Sequence, residues 1–221
     1  MGSELALFEK ARNWKAYWRS VIAPFVRGAV LEAGAGIGAN TRLLRELQHS
    51  RWTVLEPDAG LSAQIEGADE VLTGTLDDLR VERRFDTILY IDVLEHIEDD
   101  RAELRHAAAH LNDGGHVIVL SPAHSFLFTP FDSAIGHFRR YTRESLRQAA
   151  PPELTLRKLI YLDSAGMLAS LGNRLLLRRS MPTESQILAW DRLLVPLSRV
   201  LDPIFARRVG KSVLGVWSHQ K

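Results

Sequence analysis

The most informative stretch of the sequence is Val30-Leu31-Glu32-Ala33-Gly34-Ala35-Gly36-Ile37-Gly38-Ala39-Asn40-Thr41. A short apolar strand ends in the acid Glu32 and continues through three glycines into a segment with helical spacing of leucines. Glycine permits a tight turn and lets a ligand approach the backbone closely. About 20 residues further on, a second strand ends in Glu56, which is placed to accept hydrogen bonds from a ribose diol. This pattern predicts a site for a nucleoside-containing cofactor at the carboxyl edge of a parallel sheet.

The rest of the chain alternates between short apolar runs and segments of helical periodicity, which indicates a parallel sheet covered on both faces. The turn signal Asn112-Asp113-Gly114-Gly115 ends one of the predicted helices. The predicted strands are Ala29–Ala33, Trp52–Leu55, Glu70–Thr73, Phe85–Ile91, His116–Leu120, Leu154–Leu162 and Lys211–Ser218. The predicted helices cover residues 5–25, 41–47, 101–111, 165–178 and 184–201, and another begins near Thr142.

The composition is that of an ordinary globular protein, with 221 residues, 46% hydrophobic and 25% charged. The absence of cysteine excludes disulfides, thiol catalysis and cysteine-ligated zinc. We expect one domain, with an N-terminal helix (1–25), a cofactor-binding core (26–162), a helical cap (163–209) and a last strand (210–221). The chain contains neither a long apolar run nor a signal-peptide pattern, so we expect a cytoplasmic protein without a transmembrane segment.

The charge of the chain is unevenly distributed, although the net charge is only +1. Residues 1–136 hold 13 basic and 21 acidic side chains, whereas residues 137–221 hold 15 basic and 6 acidic ones. The basic C-terminal part suggests an anionic partner, with basic side chains that merely solvate helices as the equal alternative.

Three further features distinguish the glycine loop from a dinucleotide fingerprint. Glu32 precedes the first glycine by two residues, Gly74-Thr75-Leu76-Asp77-Asp78-Leu79 follows the third strand, and the fourth strand runs into Tyr90-Ile91-Asp92-Val93-Leu94-Glu95-His96-Ile97. Together these segments resemble the class I S-adenosylmethionine-dependent methyltransferases, particularly their small-molecule branch, over about residues 26–121. The 112–115 turn is similar to that family's L-x-P-G-G turn, with Asp113 in place of proline.

The resemblance implies a Rossmann-like, doubly wound sheet of seven strands whose last strand is antiparallel. It also implies S-adenosylmethionine as the cofactor, with Glu32 near its methionyl part, Glu56 on the ribose hydroxyls, and Thr75 and Leu76 at the adenine. The full set of expected cofactor-binding residues is Glu32, Gly34, Ala35, Gly36, Gly38, Asn40, Glu56, Pro57, Thr75, Leu76, Tyr90, Ile91 and Asp92.

Methyl transfer from a sulfonium is an in-line displacement that requires no metal, and we predict no metal ligands. A general base helps when the acceptor is a hydroxyl, and histidine titrates near neutral pH. The candidate catalytic residues are His137, His124 and His96. Those expected to bind substrate lie in the irregular segment after the fifth strand, where family members often place such residues: His137, Arg139, Arg140 and Tyr141.

The predicted helical cap carries an apolar stripe at helical spacing, formed by Ile187, Trp190, Leu194, Leu197 and Leu201 and broadened by Leu193 and Val200. Pro196 should kink this helix. Such a stripe is usually core, and peripheral membrane contact is the minority interpretation. With nearby arginines, including Arg174, Arg178 and Arg179, the cap would suit an anionic, amphiphilic acceptor such as a lipid-linked sugar, methylated at oxygen.

Three alternatives remain open at this point. An NAD-dependent oxidoreductase accounts for Gly34 to Ala39 and Glu56, but not for Glu32 or residues 90–97. A nucleic-acid methyltransferase fits the basic C-terminal part, but the chain lacks an Asn-Pro-Pro-Tyr or Asp-Pro-Pro-Tyr signature. A binding module that keeps the cofactor pocket without turnover also fits, because the acceptor chemistry is the least specified part of the sequence.

Overall fold

The computed structural model describes residues 8–172 and 183–220. Its strands form one seven-stranded sheet in the order β3-β2-β1-β4-β5-β7-β6. Strands β1 to β5 are parallel, and β7 is antiparallel to both of its neighbours. This confirms the predicted Rossmann-like sheet with an antiparallel last strand. The strands are β1 (Ala29–Ala33), β2 (Arg51–Glu56), β3 (Glu70–Thr73), β4 (Phe85–Ile91), β5 (Leu111–Pro122), β6 (Leu154–Leu162) and β7 (Ser212–His219).

The sheet is buried on both faces because its central strands are almost continuously apolar. Alternate residues of β4 divide between the two cores: Leu89 and Ile91 face one, Ile88 and Tyr90 the other. The aromatic face of the first helix, Trp14, Tyr17 and Trp18, packs into the first core, as its spacing indicates.

The helices differ in length from the predictions: the predicted helix 41–47 ends at Leu44, whereas the helical run from Glu184 continues to Ile204. The helices are α1 (Arg12–Ile22), α2 (Thr41–Leu44), α3 (Ala59–Ser62), α4 (Asp100–Ala109), α5 (Pro130–Ala134), α6 (Arg143–Ala149), α7 (Ser164–Gly172), α8 (Glu184–Ala189) and α9 (Val195–Ile204). The predicted helix over residues 5–25 is interrupted: Phe8 and Glu9 are helical, Ala11 is not, and α1 then runs from Arg12 to a 3-10 turn that contains Pro24. Residues 5–7 and 173–178 of the predicted helices, with Arg174, Arg178 and Arg179, lie outside the described residues.

The predicted turn at residues 112–115 is wrong, because these residues belong to β5. Leu111 pairs with Phe85 and His116 with Thr87, so four residues of β5 bulge opposite Asp86 alone. Gly114 takes a positive φ of 71° in this bulge. The turn chemistry of the glycines is therefore used inside a strand.

In the cap, Pro196 is preceded by a π-helical turn at Trp190–Leu194. Proline cannot donate to the carbonyl one turn earlier, and local widening of a helix is one response to that loss. The predicted stripe divides: Ile187 and Trp190 are buried, whereas Leu197, Leu193 and Val200 are exposed. The expectation that the whole stripe is core is therefore wrong.

Among the described residues, no helix has the length and apolarity needed to cross a membrane.

Candidate active site

The glycine loop connects β1 to α2 through three left-handed residues, with φ values of 65° at Gly34, 58° at Gly36 and 73° at Gly38. The Gly34 N–H donates to the Leu55 carbonyl of the neighbouring strand (2.7 Å). A Cβ atom at Gly34 would come within 2.7 Å of the Val93 side chain. The loop therefore follows a path that residues with side chains rarely adopt, close against the end of β4.

Glu32 lies in the buried centre of this edge, with 2% of its surface exposed. Trp52 Nε1 donates to its Oε2 (3.0 Å), while the buried Oε1 accepts no hydrogen bond of standard geometry from the described residues. Burial raises the pKa of Glu32 to about 7. A buried carboxyl oxygen without a partner suits a cationic group from a ligand, so Glu32 fits the amino group of a methionyl cofactor.

Glu56 ends β2 and closes over the loop. Its two carboxylate oxygens accept the backbone N–H groups of Gly36 (2.8 Å) and Asp58 (3.0 Å). Each carboxylate oxygen has two lone pairs, so both can accept a further hydrogen bond from a ribose hydroxyl. The structure thus brings Glu32, Glu56 and the three glycines together at one edge of the sheet. Ala35, Asn40 and Pro57 lie on the same two loops.

Two of the remaining predicted cofactor residues, Thr75 and Tyr90, direct their side chains to protein partners. The Thr75 N–H and hydroxyl both donate to Asp78 in a capping box, and Leu76 is buried. Tyr90 turns its side chain into the core, where its hydroxyl donates to Glu103 (2.7 Å). At this strand end, Tyr90 can therefore offer only its backbone to a ligand.

Three non-glycine residues with positive φ follow consecutive strands at this edge: Asp92 after β4 (55°), His124 after β5 (65°) and Asp163 after β6 (67°). Such conformations cost of order 1–3 kcal/mol each and concentrate at functional sites. Asp92 is exposed, and desolvation by the surrounding protein raises the pKa of its carboxyl to about 6. The charges of His137, Lys211 and Lys15 oppose this rise in the pKa.

Asp132 organises the segment after β5 and is fully buried at the start of α5. Its carboxylate accepts from the Thr129 N–H (2.7 Å) and from Arg140 Nε (2.8 Å), and it bonds His137 Nδ1 (3.0 Å). Burial opposes ionisation of this carboxyl, but the hydrogen bonds from His137 and Arg140 hold its pKa well below the usual range. Because an ionised carboxylate only accepts, Nδ1 of His137 carries a proton and Nε2 faces away from Asp132.

His137 lies close to both His96 and Glu95. The ring centroids of His96 and His137 are 4.5 Å apart, and His137 Nε2 lies 3.9 Å from Glu95 Oε1. The Phe138 N–H donates to the Glu95 carbonyl (2.8 Å), which joins the two segments through their backbones. We call Glu95, His96, Asp132 and His137 the acceptor cluster.

The other predicted acceptor-side residues have different partners. Arg139 Nη1 forms an ion pair with Asp100 (2.8 Å), and the Tyr141 hydroxyl donates to the same carboxylate (2.6 Å). His124 Nε2 is hydrogen-bonded to the Gly210 carbonyl (3.0 Å), and its ring lies against Phe126 and Tyr161. The structure brings His137 and His96 together and directs Arg140 to Asp132, while Arg139 and Tyr141 meet at Asp100.

Sequence reasoning did not single out Asp132, Glu95 or Lys211 as site residues. Lys211 begins the return to β7, and its ammonium lies 3.8 Å from the Trp190 ring centroid and 3.7 Å from Asp163. Burial lowers the pKa of Lys211. The spacing Thr129-x-x-Asp132 is a capping-box signal that could have located Asp132. Nothing local in the sequence identifies the partners of Glu95.

Comparisons with known proteins agree with this geometry. A family model described as a methyltransferase domain matches residues 9–151, and no curated protein matches the chain. An S-adenosylmethionine-dependent methyltransferase from Mesorhizobium loti has 18% identity over 96% of this chain and 100% of its own, with a TM-score of 0.63. One from Archaeoglobus fulgidus has 15% identity, coverages of 98% and 99%, and a TM-score of 0.62.

The N-methyltransferase NodS from Bradyrhizobium japonicum WM9, in complex with S-adenosyl-L-homocysteine, has 15% identity, coverages of 97% and 88%, and a TM-score of 0.60. At these identities, the three structures support a shared fold.

Proposed function

Because the chain belongs to the family of class I S-adenosylmethionine-dependent methyltransferases, we propose that it transfers a methyl group to an oxygen of a small anionic acceptor. The family assignment decides against an NAD-dependent oxidoreductase. The observation that carries the proposal is the shared edge of the sheet, where the glycine loop with Glu32 and Glu56 lies beside the ends of β4 and β5, which lead into the acceptor cluster.

Each part of this edge has a task. Glu32 holds the amino group of S-adenosylmethionine, and Glu56 holds the ribose hydroxyls while keeping Gly36 in place. The sulfonium supplies an activated methyl group, and the leaving thioether departs neutral. Holding donor and acceptor in line can contribute about 7–11 kcal/mol of the barrier reduction.

The acceptor cluster supports oxygen as the methylated atom, because a hydroxyl must lose its proton during transfer. His137 is the central member of this cluster, since Asp132 binds Nδ1 of its ring and leaves Nε2 on the side of Glu95. His96 is its immediate neighbour, and His124 remains a candidate from the end of β5. Arg140 and Lys211 lie near the same edge, where each already pairs with an aspartate, so the support for an anionic acceptor comes from the basic C-terminal part of the chain.

An exposed apolar face on the cap supports an amphiphilic acceptor met at a membrane surface. Leu193, Leu197, Val200 and Ile204 recur at helical spacing, and 47–69% of the surface of each is exposed. Arg192, Arg199 and Arg208 are exposed on the segment 192–208. The single acid of this segment, Asp202, is buried. An apolar helical face flanked by arginines is complementary to an anionic lipid surface.

Calorimetric titration with S-adenosylmethionine and, separately, with NADH tests the cofactor assignment. We expect micromolar binding of the first and none of the second. Gly36→Val should abolish this binding, because a side chain at a φ of 58° would strain the loop and fill the methionine space. Gly172→Ala is the control, since a Cβ there meets no atom of the described residues within 4 Å. Normal affinity in a folded Gly36→Val variant would contradict our placement of the pocket.

Mass spectrometry of reactions with anionic hydroxyl acceptors, with and without lipid tails, tests the acceptor class. A 14-dalton gain at oxygen, with turnover reduced in His137→Ala but unchanged affinity for S-adenosylmethionine, is the expected result. Salt-sensitive binding and methylation of nucleic acid, without activity on these acceptors, would favour the nucleic-acid alternative. Cofactor binding without turnover on either class would favour a binding module.

A further inference from the structure

Three side chains with metal-binding atoms converge inside the acceptor cluster. One ligand atom from each of Glu95, His96 and His137 lies within 4.8 Å of the other two. Glu95 is fully buried, the His137 side chain is 8% exposed, and His96 opens to solvent. The set therefore combines two imidazoles and one carboxylate, and His96 makes it accessible from solvent.

The position of the Glu95 carboxylate is difficult to explain by hydrogen bonding alone. Ser121 Oγ donates to its Oε2 (2.9 Å), but the buried Oε1 has no hydrogen-bond partner within residues 8–172 and 183–220. His137 Nε2 is 3.9 Å from that oxygen, which is too far for a hydrogen bond. A buried carboxylate oxygen without a partner is costly, and a cation bound to this oxygen would remove that cost.

Asp132 gives His137 the orientation that a metal ligand requires. The carboxylate bonds Nδ1 and leaves the lone pair of Nε2 toward Glu95. Histidines that bind metals almost always donate their other ring N–H to a carboxylate, a carbonyl or water, which fixes the tautomer. Arg140 and Thr129 hold Asp132 in turn, so the supporting contacts are already formed.

We propose that Glu95, His96 and His137 bind one divalent first-row transition metal ion, such as Zn²⁺, Mn²⁺ or Fe²⁺. Two imidazoles and a carboxylate suit these ions better than the all-oxygen sites of Mg²⁺ and Ca²⁺. Bond lengths of about 2.1 Å place tetrahedral ligands about 3.4 Å apart. The observed separations, all within 4.8 Å, need to contract by no more than about 1.5 Å, which small rotations of the three side chains can provide.

Three protein ligands leave coordination positions open for the acceptor. Under the proposed function, an acceptor hydroxyl or carboxylate oxygen occupies such a position, and the ion lowers the pKa of a bound hydroxyl. His137 then acts as a ligand rather than as a free base. This consequence rests on the proposed methyl transfer, whereas the binding of the metal does not.

Titration of the untagged, metal-free protein with Zn²⁺ by calorimetry and with Co²⁺ by visible absorption tests the proposal. We expect one saturable site per chain, with the ligand-field bands of protein-bound Co²⁺. His96→Ala, His137→Ala and Glu95→Gln should each weaken binding by about tenfold or more. His106→Ala is the matched control, because His106 lies on the exposed face of α4 beside Asp77 and should leave the site unchanged.

Absence of a saturable site in the wild-type protein, or equal affinity in wild type and His137→Ala, would overturn the proposal. His96→Ala guards against misfolding as an explanation, because this side chain is exposed. A parallel titration with S-adenosylmethionine separates the two hypotheses. Intact cofactor binding without metal binding rejects the metal site alone, while loss of cofactor binding in wild type rejects the methyltransferase proposal.

Discussion

Glu32 has an environment that opposes its charge before any ligand binds. The side chain is 2% exposed, one carboxyl oxygen is without a partner, and burial raises its pKa to about 7. A cationic ligand group reverses this preference, because a nearby positive charge favours the ionised carboxylate. The same residue therefore reduces the stability of the ligand-free protein and strengthens binding of a cation.

Glu32→Gln should separate these two effects. A carboxyl whose folded pKa of about 7 exceeds its unfolded value of 4.5 stabilises the fold below pH 4.5 and loses that contribution as the pH rises through 7. The free energy of unfolding of ligand-free Glu32→Gln should therefore exceed that of wild type at pH 8 by about 1–3 kcal/mol, with a smaller difference at pH 5. Chemical denaturation at both pH values measures it.

The affinity of wild type for S-adenosylmethionine should rise between pH 6 and pH 8, because binding selects ionised Glu32. Glu32→Gln should bind more weakly and lose this pH dependence. An identical pH dependence in both proteins would show that another group controls binding.

Helix α1 begins at Arg12 because of a residue far away in the chain. Asp191, in the π-helical turn of the cap, accepts the N–H groups of Asn13 (3.2 Å) and Trp14 (2.8 Å). These are among the first N–H groups of a helix, which have no partner within the helix itself. The cap and the N-terminal helix therefore stabilise each other through a buried carboxylate.

Asp191→Ala should lower the free energy of unfolding by about 1–3 kcal/mol, because it leaves buried N–H groups unpaired. Thr183→Ala is the matched control, since Thr183 caps α8 locally and at an exposed position, where the loss is about 1 kcal/mol or less. Thermal denaturation compares the two. A loss in Thr183→Ala that equals the loss in Asp191→Ala would contradict the role given to the distant cap.

At the scale of the whole molecule, one polar cluster joins the cap to the sheet edge. Asp202 accepts from the Tyr17 hydroxyl (2.7 Å) and from the Asp163 N–H (2.8 Å), while Asp163 accepts from Trp190 Nε1 (2.7 Å). The buried side of α9 carries Ser198 and Asp202 beside Val195, and the apolar side chains of Leu197, Val200 and Ile204 are exposed. The exposed face is consequently available for a surface larger than the acceptor itself.

The protein should cosediment with vesicles that contain anionic lipid, and binding should weaken as salt screens its arginines. Leu197→Glu/Val200→Glu should reduce this binding severalfold, because the apolar face would then carry negative charge. Val81→Glu is the control, as Val81 is 73% exposed and precedes β4 at the opposite edge of the sheet. Equal binding of neutral and anionic vesicles, or unchanged binding by the double variant, would contradict the proposed surface.

The sequence alone determined the sheet and its cofactor edge. The bounds of β3, β4 and β6 follow from local apolar runs and their flanking turns, and the glycines between Glu32 and Asn40 require a loop of left-handed residues. These signals are local, because side-chain periodicity and backbone freedom act between close neighbours in the chain. The number of strands and the antiparallel direction of the last one followed from the resemblance that these motifs carry, and the strand order came from the structure.

Only the tertiary structure decided the rest. Three features depend on what packs opposite each segment. They are the bulge at residues 112–115, the capping of α1 by Asp191 and the exposure of Leu197. The meeting of Glu95 with His137 joins positions 42 residues apart, and no local pattern encodes that distance. Propensity and spacing are properties of a single segment. Burial, capping by distant carboxylates and convergence of ligand atoms arise only when separate segments pack together.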